Sequence, residues 1–306
     1  MGGIDRREFV RRSLRGALAA TVIGGVPLLD LQALAQPVAV APPLAVRQGA
    51  VIPQLVRQTV AALGGMGKFV AKGETVVVKP NIGWDRTVEQ AANTHPLVVK
   101  AVVELCLEAG AKEVRLFDRT CNDPRRCYAQ SGIEEAVKGV DDKRVVIGHM
   151  DRRAYQDLDI QRGVELQRWS FYRPALDADR FINLPIAKHH SISTVTLGMK
   201  NIMGVIGGNR GRLHRRIADS LSDINSIVRS DLTIVDATRV LIANGPQGGR
   251  LEDVRQLDTL VASPDIVAAD AFAATLLGHQ PEAIETLAVA SRRGLGVSDL
   301  NKVRRL

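Results

Sequence analysis

Between residues 52 and 293, short β-branched apolar runs alternate with amphipathic helical stretches along the chain. Residues 52 to 63 carry a helical period, and "ETVVVKPNIG" is a β-branched run stopped by Pro80. In "THPLVVKAVVELCLEAGA", Thr94 is the expected N-cap and Pro96 lies in the first turn. Val98, Ala101, Val102, Leu105 and Ala109 share one helix face, and Gly110 ends it. "EVRLFD" predicts the next strand, and a helix opens near Pro124. Further strands are expected at "RVVIGH", "RFINLP", "LTIVDA" and "DTLVAS", with helices near 194 to 204, 215 to 228, 265 to 277 and 281 to 293. This β-then-α order predicts an α/β fold, a mostly parallel, doubly wound sheet with helices on both faces. A chain of 306 residues with 45% hydrophobic side chains can bury a full core, and one domain is expected over residues 50 to 306.

The start of the chain reads differently. "DRREFVRRSLRGALAATVIGGVPLLDLQALAQ" pairs Arg6 with Arg7, continues into an apolar run from Ala17 to Leu29 and ends in Ala33-Leu34-Ala35. The run is too short to span a bilayer, and the small residues have the spacing that a signal peptidase reads. Residues 1 to 35 are therefore expected to be a twin-arginine export signal, recognised by the twin-arginine machinery and cut after Ala35. The mature chain is expected in the periplasm or outside the cell, exported folded, with no membrane span. Folding before export is one way to retain a metal or cofactor loaded in the cytoplasm. The Pro/Ala-rich "QPVAVAPPLAV" marks residues 36 to 49 as a linker.

In open α/β sheets, ligands bind outside the carboxyl ends of the strands. The residues following the apolar runs here are Lys79 and Asn81, Asp118 and Arg119, Asn183 with Lys188, His189 and His190, then Asp236, and finally Ser263 and Asp265. Their convergence on one sheet edge is the expected site. Neighbouring side chains in an extended segment point to opposite sides, so His189 and His190 are expected to divide, one facing the site and one facing away. His214 stands three residues before Ile217, whose apolar stripe turns it toward the body of the protein, in a structural or a functional role.

"VVVKPNI", "THPLVVKAVVELCLEAGAKEVRLFD", "INLPIAKHHSISTVTLGMKNIMG", "ADSLSDINSIVRSDLTIVDA", "NGPQGG" and "SPDIVAADAFAATLLG", in this order and spacing, resemble the family catalogued as domain of unknown function 362 over roughly residues 50 to 300. The resemblance implies an α/β fold and no settled activity. Some relatives carry a fused ferredoxin-type iron–sulfur segment, a loose link to redox chemistry. This chain has no C-x-x-C-x-x-C run, and its three cysteines cannot alone supply the four thiolates of an ordinary cluster. Cys106 reads as an inert core residue. Cys121 and Cys127 bracket "NDPRR", where Asp123 can cap the helix that Pro124 opens. A disulfide between them, a metal or redox role shared with His189, and free structural thiols all stay open.

The formal charge of +8 admits nucleic acid, a membrane surface or a small anion as partner. Aromatic residues make up 4% and the arginines are dispersed, which disfavours a nucleic-acid surface. Lys79, Asn81, Lys188, Lys200, Arg210 and Arg212 are candidates for holding a carboxylate or phosphate, aided by the glycine-rich turns "GVIGGNRG" and "NGPQGG". Neither turn matches a nucleotide fingerprint, and no G-x-S-x-G or H-E-x-x-H is present. The expected function is an enzyme on a small anionic substrate, with a metal ion or redox step open. His189 or His190 and His214 are the acid/base candidates, and Asp118 the orienting group. The competing reading is a non-catalytic periplasmic binder of a carboxylate or phosphate.

Overall fold

The computed structural model describes residues 41–306, so the expected export signal at 1–35 lies outside the described residues. In chain order the strands are β1 (Pro43–Gln48), β2 (Thr75–Pro80), β3 (Glu113–Leu116), β4 (Val145–Ile147), β5 (Tyr155–Asp159) and β6 (Arg168–Tyr172). They continue with β7 (Arg180–Leu184), β8 (Ile186–His190), β9 (Thr194–Thr196), β10 (Leu232–Leu241), β11 (Val254–Ser263) and β12 (Arg304–Arg305). The main sheet runs β12-β1-β11-β10-β7-β2-β3-β4, with β8 beside β10 and β9 beside β8, while β5 and β6 form a separate hairpin. The β10-β7-β2-β3-β4 half is parallel, and β11 runs antiparallel to both β10 and β1.

Alternate residues of each strand supply two cores. Val77, Phe181 and Val235 face one cluster, while Val76, Val78, Ile182 and Ile234 face the other. Helices Ile52–Ala62 and Pro96–Glu108 cover the second face through Leu55 and Val99. Helices Ile217–Ile227, Ile266–Leu276 and Glu285–Arg292 cover the first through Leu221, Ala269 and Leu287. A central strand shielded on both sides loses its polar alternation, and all ten residues of β10 are accordingly buried. The expected α/β class with a mostly parallel sheet and helices on both faces is the observed one.

Several local expectations are corrected. Residues 43–48, assigned to a linker, form β1, whose Ala45 pairs with Ala262. Leu44 is fully buried there, which contributes about 1.5 to 3 kcal/mol and outweighs the Pro/Ala-rich composition. The cap of helix Pro96–Glu108 is His95, whose Nδ1 accepts from Leu97 N at 3.1 Å. Thr94 Oγ1 is occupied elsewhere, donating to Leu184 O at 2.7 Å and accepting from Asn81 N at 2.8 Å. The helix expected over 194 to 204 is instead β9 followed by the short helix Gly198–Asn201 and a 3-10 turn, because Thr194–Thr196 pairs back on β8. No helix among the described residues is long and apolar enough to cross a membrane.

Candidate functional site

The carboxyl ends of the parallel strands open into a cleft of about 1200 Å³. At its floor, Lys79 Nζ lies 3.0 Å from Asp118 Oδ1 and donates to Asn201 Oδ1 at 2.7 Å. Asn81 Nδ2 shares that acceptor at 3.1 Å, and Asn201 Nδ2 donates to Asn183 Oδ1 at 2.9 Å. Asp118 also accepts from Ile82 N at 2.7 Å. Burial pulls the Lys79 ammonium below its ordinary range in spite of the adjacent carboxylate. Gly204 closes over this pair, and a Cβ there would overlap Asp118 Oδ1 and Lys79 Nζ. The backbone therefore approaches a buried ion pair where only glycine fits.

The β8–β9 hairpin forms the next wall. Register places Lys188 opposite Thr196. Both are buried, and Thr196 Oγ1 has no hydrogen-bond partner among the described residues. Lys188 Nζ donates to the carbonyl of Ala92 at 2.5 Å and to Asn81 Oδ1 at 3.4 Å. Without a carboxylate in contact, burial brings its ammonium down to about 7. Lys200 contacts the Met203 sulfur at 3.5 Å and His214 Nε2 at 3.3 Å. Burial brings Lys200 down to about 8, opposed by Cys121 and, to a lesser extent, aided by Arg210.

His189 and His190 diverge. His190 lines the cleft, and its Nδ1 accepts from Ile192 N at 3.1 Å and Ser193 N at 3.3 Å. A neutral ring held in this way bears its hydrogen on Nε2. Burial, then Lys200, His214 and Lys188, push the His190 imidazolium down to about 3, so the ring is neutral at physiological pH. It stacks on His214 with ring centres 5.6 Å apart, and burial with Lys200 also lowers His214. His189 lies outside the cleft lining, with Nδ1 accepting from Gly245 N at 3.1 Å.

The rim carries Arg119, Arg152, Arg210, Tyr155, Trp84 and His149. Of the sequence candidates, Lys79, Asn81, Asp118, Cys121, Lys188, His190, Lys200, Arg210 and His214 line the cleft together. Arg212 does not, because its turn of the 3-10 helix Arg210–Arg216 projects it into solvent. Ser263 and Asp265 lie at the opposite end of the sheet, since β11 runs antiparallel to β10, and Asp265 caps helix Ile266–Leu276 instead. Asp236 is consumed by Arg239, Thr238 and the backbone N of His95.

Cys121 and Cys127 are free, not bonded to each other. Cys127 is buried with Sγ toward Gly83 O at 3.8 Å, on the inner face of helix Pro124–Gln130, whereas Cys121 is exposed beside Arg210. Nor do Cys121, Cys127 and His189 form a metal-ligand set. Among the described residues no three His, Cys, Asp or Glu side chains are grouped to hold a metal ion. Asn201, Thr196, Tyr155 and Met203 were absent from the sequence candidates. The "GMKNIMG" stretch did place Asn201 next to Lys200, but a helical reading of it hid the hairpin that brings Thr196 to the wall.

The sequence comparisons agree with one another. Residues 76–275 match the model of the family described as domain of unknown function 362. The thylakoid-associated protein sll1697 of Synechocystis is 31% identical over 247 residues, covering 78% of this chain and 74% of that protein. A Thermotoga maritima crystal structure from a structural genomics programme aligns with a TM-score of 0.45 at 14% identity, over 76% of this chain and 61% of that one. The lactate racemase apoprotein of Thermoanaerobacterium thermosaccharolyticum aligns with a TM-score of 0.38 at 10% identity, over 69% and 54%. The chain thus spans less than two thirds of either solved structure. With the family model matched across both the β2 and β10 ends of the cleft, the chain belongs to the family of domain of unknown function 362.

Proposed function

We propose that this chain is an exported α/β enzyme that binds a small anion in the cleft and transfers a proton to or from it. One observation carries the reading: Lys188 and Lys200 reach the cleft with no carboxylate partner among the described residues. A buried ammonium without a counter-charge costs several kcal/mol, and an incoming carboxylate or phosphate supplies that charge. Both lysines are brought close to neutrality, so each can hold or release a proton near physiological pH. The neutral His190 adds an Nε2–H donor, and Asp118 orients Lys79 rather than a histidine. The donor set favours lysine- and histidine-mediated proton transfer over metal chemistry on protein ligands alone.

The test combines binding with exchange. Acetate titrations followed by NMR should show binding weakened by about tenfold or more in Lys200→Met and in Lys188→Met. A panel of small carboxylates incubated in deuterium oxide should show exchange at the carbon next to the carboxylate with the wild type and none with Lys188→Met. Anion binding indifferent to both lysines refutes the site. Lysine-dependent binding without exchange or turnover leaves the second reading, a non-catalytic binder, which the unpartnered cations also suit. Export belongs to the same proposal and rests on Arg6, Arg7 and Ala33-Leu34-Ala35. Replacing both arginines with lysine should leave precursor in the cytoplasm, and normal export of that variant would remove the twin-arginine assignment.

A further inference from the structure

We propose that the substrate of this cleft carries two separate anionic groups, one seated against Lys188, Lys200 and Thr196 and the other against Arg119 and Arg210. The inference rests on the reading of the cleft as an anion site and extends it to the class of substrate. Its first support is charge balance. Six cations and one carboxylate line the cleft, and that carboxylate, Asp118, is taken by Lys79. Five positive charges therefore remain without an acidic partner among the described residues, and a single carboxylate would offset only one.

The second support is how those charges are arranged. At the inner wall, Lys188 is 1% exposed and stands across the hairpin from Thr196, whose Oγ1 is buried with no hydrogen-bond partner among the described residues. A buried hydroxyl left unpaired costs about 1 to 3 kcal/mol, and an anionic oxygen between it and the lysines would satisfy it. At the rim, Arg119 donates to Ile206 O at 2.9 Å and Gly208 O at 3.0 Å. Arg210 donates to Arg119 O at 2.7 Å and Thr120 O at 2.9 Å. Backbone carbonyls fix both guanidiniums in place without neutralising them, which leaves two preorganised positive charges next to one another. Burial, and then the neighbouring Arg210, lower the Arg119 guanidinium from its ordinary range, and an anionic group between the two would relieve that repulsion.

The inner and outer sets differ in burial, since Lys188 and Thr196 are enclosed while Arg119 and Arg210 are partly exposed. Both sets line the same cleft, and Arg210 is near enough to act on the charge of Lys200, so the ligand class that fits is one with both anionic groups on one short carbon skeleton: a small dicarboxylate, or a carboxylate that also bears a phosphate. The tethered second group gains from the first having already been bound.

Three probes separate these outcomes by NMR titration of the full chain: acetate, succinate and phosphoglycolate. The wild type should bind at least one two-headed probe about fivefold or more tightly than acetate. Arg210→Gln, alone or with Arg119→Gln, should abolish that preference while leaving acetate binding within about twofold. Arg210→Lys, which retains the charge, should keep it and shows that loss in the glutamine variant is not a folding defect. A preference for succinate over phosphoglycolate assigns a carboxylate to the rim, and the reverse order assigns a phosphate. A preference below fivefold, or one that survives the double arginine change, overturns the inference. If acetate binding still depends on Lys188 and Lys200 in that case, only the two-headed substrate falls. Indifference to the lysines takes down the anion site as well.

Discussion

Replacing Lys188 with methionine should stabilise the protein in mild acid and lose that advantage in base. Lys188 is 1% exposed, and burial pulls its ammonium from the ordinary 10.5 to about 7. At about 1.36 kcal/mol per pH unit, that lowering makes the protonated lysine cost several kcal/mol of folding free energy, on the order of 5. Below pH 7 both the folded and the unfolded chain hold the proton and the penalty is full. From pH 7 toward 10.5 the unfolded chain alone holds it, so the penalty shrinks as pH rises and vanishes above the unfolded value. Between pH 6 and pH 9 the relief amounts to roughly 3 kcal/mol. Methionine removes the charge at every pH but leaves the Ala92 carbonyl without its 2.5 Å donor, at a cost of about 1 to 3 kcal/mol. The variant should therefore exceed the wild type by about 2 to 4 kcal/mol at pH 6 and match it within about 1 kcal/mol at pH 9. Urea unfolding of both proteins, dialysed free of ligand, at the two pH values measures the difference. A gap that fails to narrow by about 1.5 kcal/mol from acid to base would mean that the buried ammonium is already compensated, and the argument for an incoming anion would fail with it.

Other consequences follow from the same geometry. Acetate affinity should fall by at least about tenfold between pH 6.5 and pH 9 as Lys188 and Lys200 lose their protons, and a titration series with a flat profile would contradict their role. Gly204→Ala should cost about 2 kcal/mol or more in thermal unfolding and disturb anion binding, since its Cβ overlaps the Lys79–Asp118 pair; a variant of wild-type stability would show that the backbone yields. Alkylation mapped by mass spectrometry should modify the exposed Cys121 and spare Cys127, whose thiol is buried and pushed up to about 11; a linked pair would reverse that assignment. Arg212→Ala, at a solvent-facing position outside the cleft, should change anion affinity and stability by less than about 0.5 kcal/mol.

The elements most legible in the sequence are those whose signals are local. Pro96, the apolar stripe from Val98 and Gly110 delimit one helix within a single stretch of chain, and the structure places it at Pro96–Glu108 with Gly110 at φ +94°. Asp123 before Pro124 likewise caps its own helix, accepting from Arg125 N and Arg126 N. The strand ends of β2, β3 and β8 put Lys79, Asn81, Asp118 and Lys188 in the cleft because parallel strands share a carboxyl edge. The strand period of two, a local property, sends His190 into the cleft and His189 away from it.

Other features depended on contacts between distant segments. Burial of Leu44 turns an apparent linker into β1, a fact set by β11 more than two hundred residues away. The direction of β11 removes Ser263 and Asp265 from the cleft edge, and no residue within that strand encodes which neighbour it will oppose. The stretch from Thr194 reads in sequence as part of a helix over 194 to 204, and pairing of Thr194–Thr196 with β8 makes its start a strand instead. The charge state of the cleft is likewise tertiary. Lys79 and Lys188 are both lysines at strand ends, yet folding gives Asp118 to the first and only neutral oxygens to the second. Sequence determined which charged groups this sheet edge would carry. Only the folded chain, by enclosing some beside a carboxylate and others without one, decided which of them are left to receive a ligand.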